Sequence, residues 1–361
     1  MREGARWKFD ASNSSGYTPP NQEFGIIHQR HRRRAFSGLF GLAALGAAWL
    51  ASGCGNDRPS PPEAPADAAG YTIVCTVGMV TDIVRQVAGE RASVEGLMGP
   101  GIDPHLYKPT RSDVERLLGA DVIFYNGLLL EGRMTDALVR AATAGRKVVA
   151  VTELLDEQYL LEPPEFAGHP DPHVWMDPSA WAKAVEVVRD KLSEHDPAGA
   201  PAYQANAAAC LEEIERLDAY ASMVLATVPP SSRVLVTAHD AFNYFGRRYN
   251  FEVVGLQGIS TESEAGVQDV ERLVSLLVDR KVGAVFVEST VSDRSVRALI
   301  AGAKARGQPV AIGGKLFSDA MGDQGAYEGT YVGMIDHNVT TIARALGGDA
   351  PPGGMQGRLA Q

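Results

Sequence analysis

From residue 71 onward, short runs of consecutive apolar residues alternate with longer stretches in which apolar positions recur every three or four residues. The first pattern predicts buried strands over 71–77, 93–97, 121–125 and 147–151, and the second predicts helices over 79–88, 110–118 and 132–144. A second series repeats the theme, with strands at 233–237, 251–256, 284–288 and 308–312 and helices at 241–249, 267–280, 293–306 and near 327–346. Strands and helices that alternate with short connections build parallel sheets covered on both faces. Two groups of four strands predict an α/β protein of two lobes, each a mostly parallel four-stranded sheet flanked by helices.

The segment between the groups is different. Past Gly199, residues 200–228 contain no glycine and a single proline, Pro201. Tyr203, Ala207, Leu211, Ile214, Leu217, Ala221 and Val224 follow at helical spacing, until Pro229-Pro230 stops the pattern. About 25–30 helical residues make a rod of roughly 40 Å. The expected organisation is therefore a first lobe over 70–196, one long rigid linking helix over 197–228, and a second lobe over 229–361.

Ahead of the lobes, His31-Arg32-Arg33-Arg34 precedes an uncharged run, 35–53, and then Cys54. A basic stretch, an apolar stretch and small residues before a cut are the layout of a signal peptide, assigned here to 1–53. Leu50-Ala51-Ser52-Gly53-Cys54 resembles a bacterial lipobox, which implies cleavage before Cys54 and lipidation of its sulfur. Arg33-Arg34-Ala35-Phe36 resembles a twin-arginine export core, so that route and the general secretory route both stay open. Residues 54–69, rich in Pro, Ala and acids, read as a flexible tether.

Charge narrows the function. The net charge is −10, and residues 1–53 carry +4 of it, leaving −14 on the remainder. No basic face is left to displace phosphate counterions, which argues against nucleic acid. Three cysteines are too few for a disulfide scaffold, and Cys75 and Cys210 sit in apolar patterns that predict small buried side chains.

The chemistry resides in loops that follow predicted strands. Gly99-Pro100-Gly101-Ile102-Asp103-Pro104-His105 ends a Gly/Pro turn on His105, and Asp171-Pro172-His173-Val174-Trp175 places His173 between Asp-Pro pairs. Thr237-Ala238-His239-Asp240 puts His239 at a strand's carboxyl end, and Leu316-Phe317-Ser318-Asp319 puts Asp319 after the last strand. Open α/β sheets bind ligands at that edge. Singly each motif is weak, but together they set two groups per lobe on one expected edge. Imidazole suits transition metals, and a carboxylate extends the choice toward harder ions.

With these strings in hand, residues 74–346 closely resemble the cluster A-I substrate-binding lipoproteins of bacterial zinc/manganese ABC transporters, particularly the TroA type. The resemblance implies that His105, His173, His239 and Asp319 ligate Zn²⁺ or Mn²⁺ as cargo in the cleft between the lobes. It also implies an ABC permease and its ATPase as partners, and an extracytoplasmic monomer anchored to the membrane through Cys54. Manganese-specific relatives tend to carry Glu at the third position, where this chain has His239. In place of a His- and acid-rich loop, 161–172 offers only Glu162, Glu165, His169 and Asp171. Glu262, Glu264 and Glu288 are the candidates for orienting ligands or lining the cleft. Other classes remain to be weighed: a periplasmic metal-dependent hydrolase, and a metal-independent adhesin or structural lipoprotein whose four residues only shape turns. Catalytic zinc keeps three protein ligands and an open water position, which a four-ligand set does not leave. No His-Glu-x-x-His helix occurs either.

Overall fold

The computed structural model describes residues 70–360 apart from 167. The expected signal peptide (1–53), the expected lipidation site Cys54 and the expected tether (54–69) lie outside the described residues.

In the first lobe, β1 (Tyr71–Cys75), β2 (Ala92–Gly96), β3 (Val122–Tyr125) and β4 (Lys147–Ala150) form one sheet in the order β2-β1-β3-β4. Every pairing in it is parallel. The central strand β1 is buried almost throughout, which is why its run reads as continuous apolar sequence rather than as an alternation. Helices α1 (Gly78–Ala88), α2 (Arg111–Gly119) and α3 (Thr135–Thr143) make the crossovers. Helix α2 starts with a capping box: Thr110 Oγ1 accepts the Asp113 N–H at 3.2 Å, and Asp113 Oδ2 accepts the Thr110 N–H at 2.7 Å. The Tyr107 hydroxyl donates to the same carboxylate at 2.6 Å, so the cap also holds the chain just after His105. Thr110→Ala is expected to cost about 1 kcal/mol, read as a drop of a few degrees in the thermal midpoint.

Helix α4 (Pro178–His195) was not singled out by periodicity. Its start is nevertheless written in the sequence: Asp177 accepts the Ser179 N–H at 2.9 Å as N-cap, and Pro178 takes the first helical position. The linking helix α5 (Ala200–Ala226) has 27 residues, or about 40 Å at the standard rise. Tyr203, Ala207, Cys210, Ile214, Leu217, Ala221 and Val224 are its buried face, which packs on α1 and α4 of the first lobe. The same helix packs on the last helix of the second lobe, α9 (Tyr331–Ala345). Cys75 and Cys210 are both buried and free.

In the second lobe, β5 (Val234–His239) pairs with β6 (Glu252–Gln257), and β7 (Ala284–Glu288) pairs with β8 (Ala311–Leu316), both in parallel. The expected continuous four-stranded sheet is thus two parallel pairs among the described residues, with β5 lying beside β7. Helices α6 (Asn243–Tyr249), α7 (Val267–Asp279), α8 (Arg294–Ala305) and α9 complete the lobe. Strand β8 starts three residues later than expected and runs on through Gly313-Gly314. The register slips between Val285 and Phe286, where a Cβ on Gly313 would lie 2.8 Å from the Phe286 ring and 2.9 Å from Ala345. A glycine there lets the strand continue as a bulge beneath α9 rather than end.

Candidate metal centre

The four expected residues reach one point from three connections and one strand end. His105 closes the turn after β2, His173 precedes a 3₁₀ turn (Val174–Met176), His239 is the last residue of β5, and Asp319 follows β8. Their exposures are 5%, 0%, 0% and 1%, so the cluster is sealed from solvent. One ligand atom from each lies within 4.8 Å of all the others, an arrangement that can hold a metal ion. His173 Nε2 stands 3.3 Å from Asp319 Oδ1, while His239 Nε2 and His105 Nε2 stand 3.2 and 3.6 Å from Oδ2. The two first-lobe rings face each other at 3.3 Å between Nε2 atoms. Asp319 Oδ1, Oδ2 and His239 Nε2 are buried without a hydrogen-bond partner. Buried polar atoms are rarely left so, and a cation among them would satisfy all three. A cavity of about 110 Å³ lined by Met98, Gly99, Met321 and Asp319 adjoins the acid.

Surrounding groups fix the rings. His239 Nδ1 meets Glu288 Oε2 at 2.5 Å, and its main-chain N–H donates to Glu288 Oε1 at 2.8 Å. His173 Nδ1 meets Asp171 Oδ1 at 2.7 Å, and its main-chain N–H donates to the same oxygen at 3.0 Å. Each carboxylate selects the Nδ1–H tautomer and leaves Nε2 free as a ligand. The Asp319 loop is clamped as well. Asn338 Nδ2 donates to the Phe317 carbonyl at 2.7 Å, and Trp175 Nε1 donates across the lobes to the Ser318 carbonyl at 2.9 Å.

Burial pushes the His105 imidazole down to about 3, against the pull of Asp319. Burial also opposes a cation on His173, but Asp171 and then Asp319 outweigh it and raise that ring to about 9. At His239, burial is outweighed by Glu288 and Asp319, and the ring is held well above its ordinary value. Asp319 is the converse case: burial works against its charge, yet His239 and His173 hold it well below the usual carboxylate range.

The other candidates fall elsewhere. Glu262 is on the surface, paired at 2.8 Å with Arg133 of the first lobe, and Glu264 is exposed. His169 is exposed beside Phe166, His195 packs on Tyr71, and His337 shares a hydrogen bond with the Lys315 carbonyl. Asp171, noted only as a motif residue, is the partner that sequence reasoning did not assign. Its signal was its place two residues before His173.

The family model for the periplasmic component A of zinc-uptake complexes, ZnuA, matches residues 73–345. The manganese-binding lipoprotein MntA of Bacillus subtilis (strain 168) is 43% identical over 304 residues, covering 84% of this chain and 97% of the relative. The zinc-binding protein TroA of Treponema pallidum (strain Nichols) is 46% identical over 276 residues, covering 76% and 88%. The solved structure of periplasmic TroA from Treponema pallidum superposes with a TM-score of 0.75 at 45% identity, over 77% of this chain and 99% of that one. The iron-binding protein YfeA of Yersinia pestis is 32% identical over 320 residues, covering 87% and 94%. The match runs from β1 to the end of α9 and takes in all four converging side chains, so the chain belongs to the ZnuA family of metal-binding components of bacterial ABC importers.

Proposed function

We propose that this protein captures a divalent first-row ion, Zn²⁺ or Mn²⁺, on His105, His173, His239 and Asp319, and delivers it to the permease and ATPase of an ABC importer. The observation that carries this reading is the convergence of three imidazoles and one carboxylate around buried, unpartnered ligand atoms. Two ligands come from the lobe over 70–196 and two from the lobe over 229–361, joined by the helix segment 197–228. A bound ion therefore ties the lobes together, and their separation is the route of release. Cleavage before Cys54 and lipidation of its sulfur would hold the body at the outer face of the cytoplasmic membrane. Among the described residues, no helix is long and apolar enough to cross a bilayer. Relatives named for manganese, zinc and iron share the chain's fold-wide match, so the family does not rank the cargo. A nitrogen-rich site favours zinc over manganese on affinity alone.

The test is calorimetric titration of the chelated protein with Zn²⁺, Mn²⁺ and Mg²⁺. One equivalent of Zn²⁺ or Mn²⁺ bound tightly, with Mg²⁺ far weaker, supports the reading, and no binding of any ion overturns it.

Charge balance adds a pH prediction. Asp171, Glu288 and Asp319 surround the imidazoles, and in the metal-free state protons on His173 and His239 offset two of these three negative charges. A divalent ion replaces two protons with no change of net buried charge. Because both rings are raised, the proton-bound form is favoured below about pH 9 and must be displaced by the metal. Apparent affinity should consequently fall as pH falls from 8 to 6, by more than tenfold per unit if both protons leave. Titration heats in buffers of different ionisation enthalpy count the protons; none released would contradict the charge balance.

A further inference from the structure

Both imidazoles supplied by the first lobe sit in the same tripeptide, Asp103-Pro104-His105 and Asp171-Pro172-His173. In each, the aspartate Oδ1 accepts the histidine's main-chain N–H, at 2.9 Å for His105 and 3.0 Å for His173. In each, the second oxygen is engaged from the other lobe. The Thr261 hydroxyl donates to Asp103 Oδ2 at 2.6 Å, and Asn243 Nδ2 donates to Asp171 Oδ2 at 3.2 Å. Thr261 is buried in the connection between β6 and α7, and Asn243 opens α6 shortly after His239. Asn243 also donates to Asp240 at 2.9 Å, which aims its amide.

We propose that Thr261 and Asn243 are positioning residues: through Asp103 and Asp171 they lock the first-lobe histidines in ligand geometry while the lobes are together, and so set how long the metal is retained. This rests on the reading of the cluster as the metal site. The middle proline fixes its own φ and lacks an N–H, so the aspartate and the histidine two residues on move as one stiff turn. A carboxylate with one oxygen on the histidine backbone and the other on the opposite lobe transmits lobe displacement straight to the imidazole. Hydrogen bonds to an ionised acceptor are the strong kind, and both of these are partly buried. When the lobes part, water replaces Thr261 and Asn243, so the open form takes up metal unhindered. The effect therefore falls on dissociation rather than association. The neighbouring Arg133–Glu262 pair also joins the lobes, but it is a third to a half exposed and is expected to add little.

The experiment follows release of Zn²⁺ from the loaded full chain into excess chelator by stopped flow, with association measured in parallel. Thr261→Val should speed release about tenfold, the loss expected for one hydrogen bond to a carboxylate, with association unchanged. Thr261→Ser, which keeps the hydroxyl, should release at nearly the wild-type rate. In an Asp103→Ala background Thr261→Val should have no further effect, because the pair acts as a unit. Glu262→Gln is the cross-lobe control and should leave release unchanged. If the wild type loads Zn²⁺ and Thr261→Val releases it at the wild-type rate, the latch is overturned while the metal site stands. Equal acceleration in the serine and valine variants, or equal loss of association and retention, would reduce Thr261 to packing and overturn it too. A wild-type chain that takes up no Zn²⁺ removes the site itself, and both readings with it.

Discussion

Replacing His239 by alanine is expected to weaken Zn²⁺ binding by roughly 10²–10³-fold. The free energy of a four-ligand zinc site is about 10–16 kcal/mol, so one ligand in four carries about 3–4 kcal/mol. The thermal consequence is large. At an ion concentration a thousand times the dissociation constant, binding stabilises the wild-type fold by about 4 kcal/mol. For a folded body of this size that is a rise of roughly 10 °C in the unfolding midpoint. At the same ion concentration the variant is left with a ratio of about 1–10, hence about 1 kcal/mol and a rise of only a few degrees. His239 is the informative ligand because it terminates β5 and is fixed at both its main-chain and ring nitrogens by Glu288. A variant that keeps the full metal-dependent shift would remove His239 from the ligand set. No shift in the wild type with any ion would instead favour a lipoprotein whose motif residues only shape turns.

What the sequence made legible follows from the range of each interaction. The parallel strands were readable because burial on both faces makes them continuous apolar runs, and β1 and β5 are the clearest cases. The four loop residues were readable because the edge where strands end is decided by topology, and all four lie at or after strand ends. Helix α4 was harder: its signal is the cap Asp177 with Pro178, two residues inside a segment dominated by proline turns. The acids around the site show the boundary most clearly. Glu288 could be suspected because it ends β7, beside β5 and its terminal His239. Glu262 and Glu264 looked equally plausible as acids in a loop after β6, yet that loop turns them outward and points Thr261 inward instead. Which face of a connection meets the opposite lobe is decided by packing between residues more than a hundred positions apart, as in Thr261 with Asp103. No local pattern encodes that. The twin Asp-Pro-His tripeptides were visible as strings, but their second oxygens find partners only when the lobes meet.

Glu288→Gln, a change of one atom, is expected to lower metal affinity by about 10–100-fold. Glu288 faces two donors, the His239 main-chain N–H and the ring Nδ1–H, and offers one carboxylate oxygen to each. Glutamine has one acceptor oxygen and one donor nitrogen. If its oxygen keeps the main-chain N–H, its NH₂ faces Nδ1 and drives the ring to the Nε2–H tautomer, which places a proton where the metal binds. If its oxygen turns to Nδ1–H, a buried main-chain N–H faces an NH₂ and loses its partner. Either arrangement penalises the metal-bound state, and the substitution also removes one of the negative charges that balance a buried divalent ion. The two losses can be separated. Glu288→Gln should release about one proton fewer on binding than the wild type at neutral pH, because the carboxylate that helps raise His239 is gone. Its apparent affinity should accordingly depend less steeply on pH. Isothermal titration in two buffers, at pH 6.5 and 8, reads both quantities. Wild-type affinity with an unchanged pH slope would show that Glu288 merely fills space beside His239.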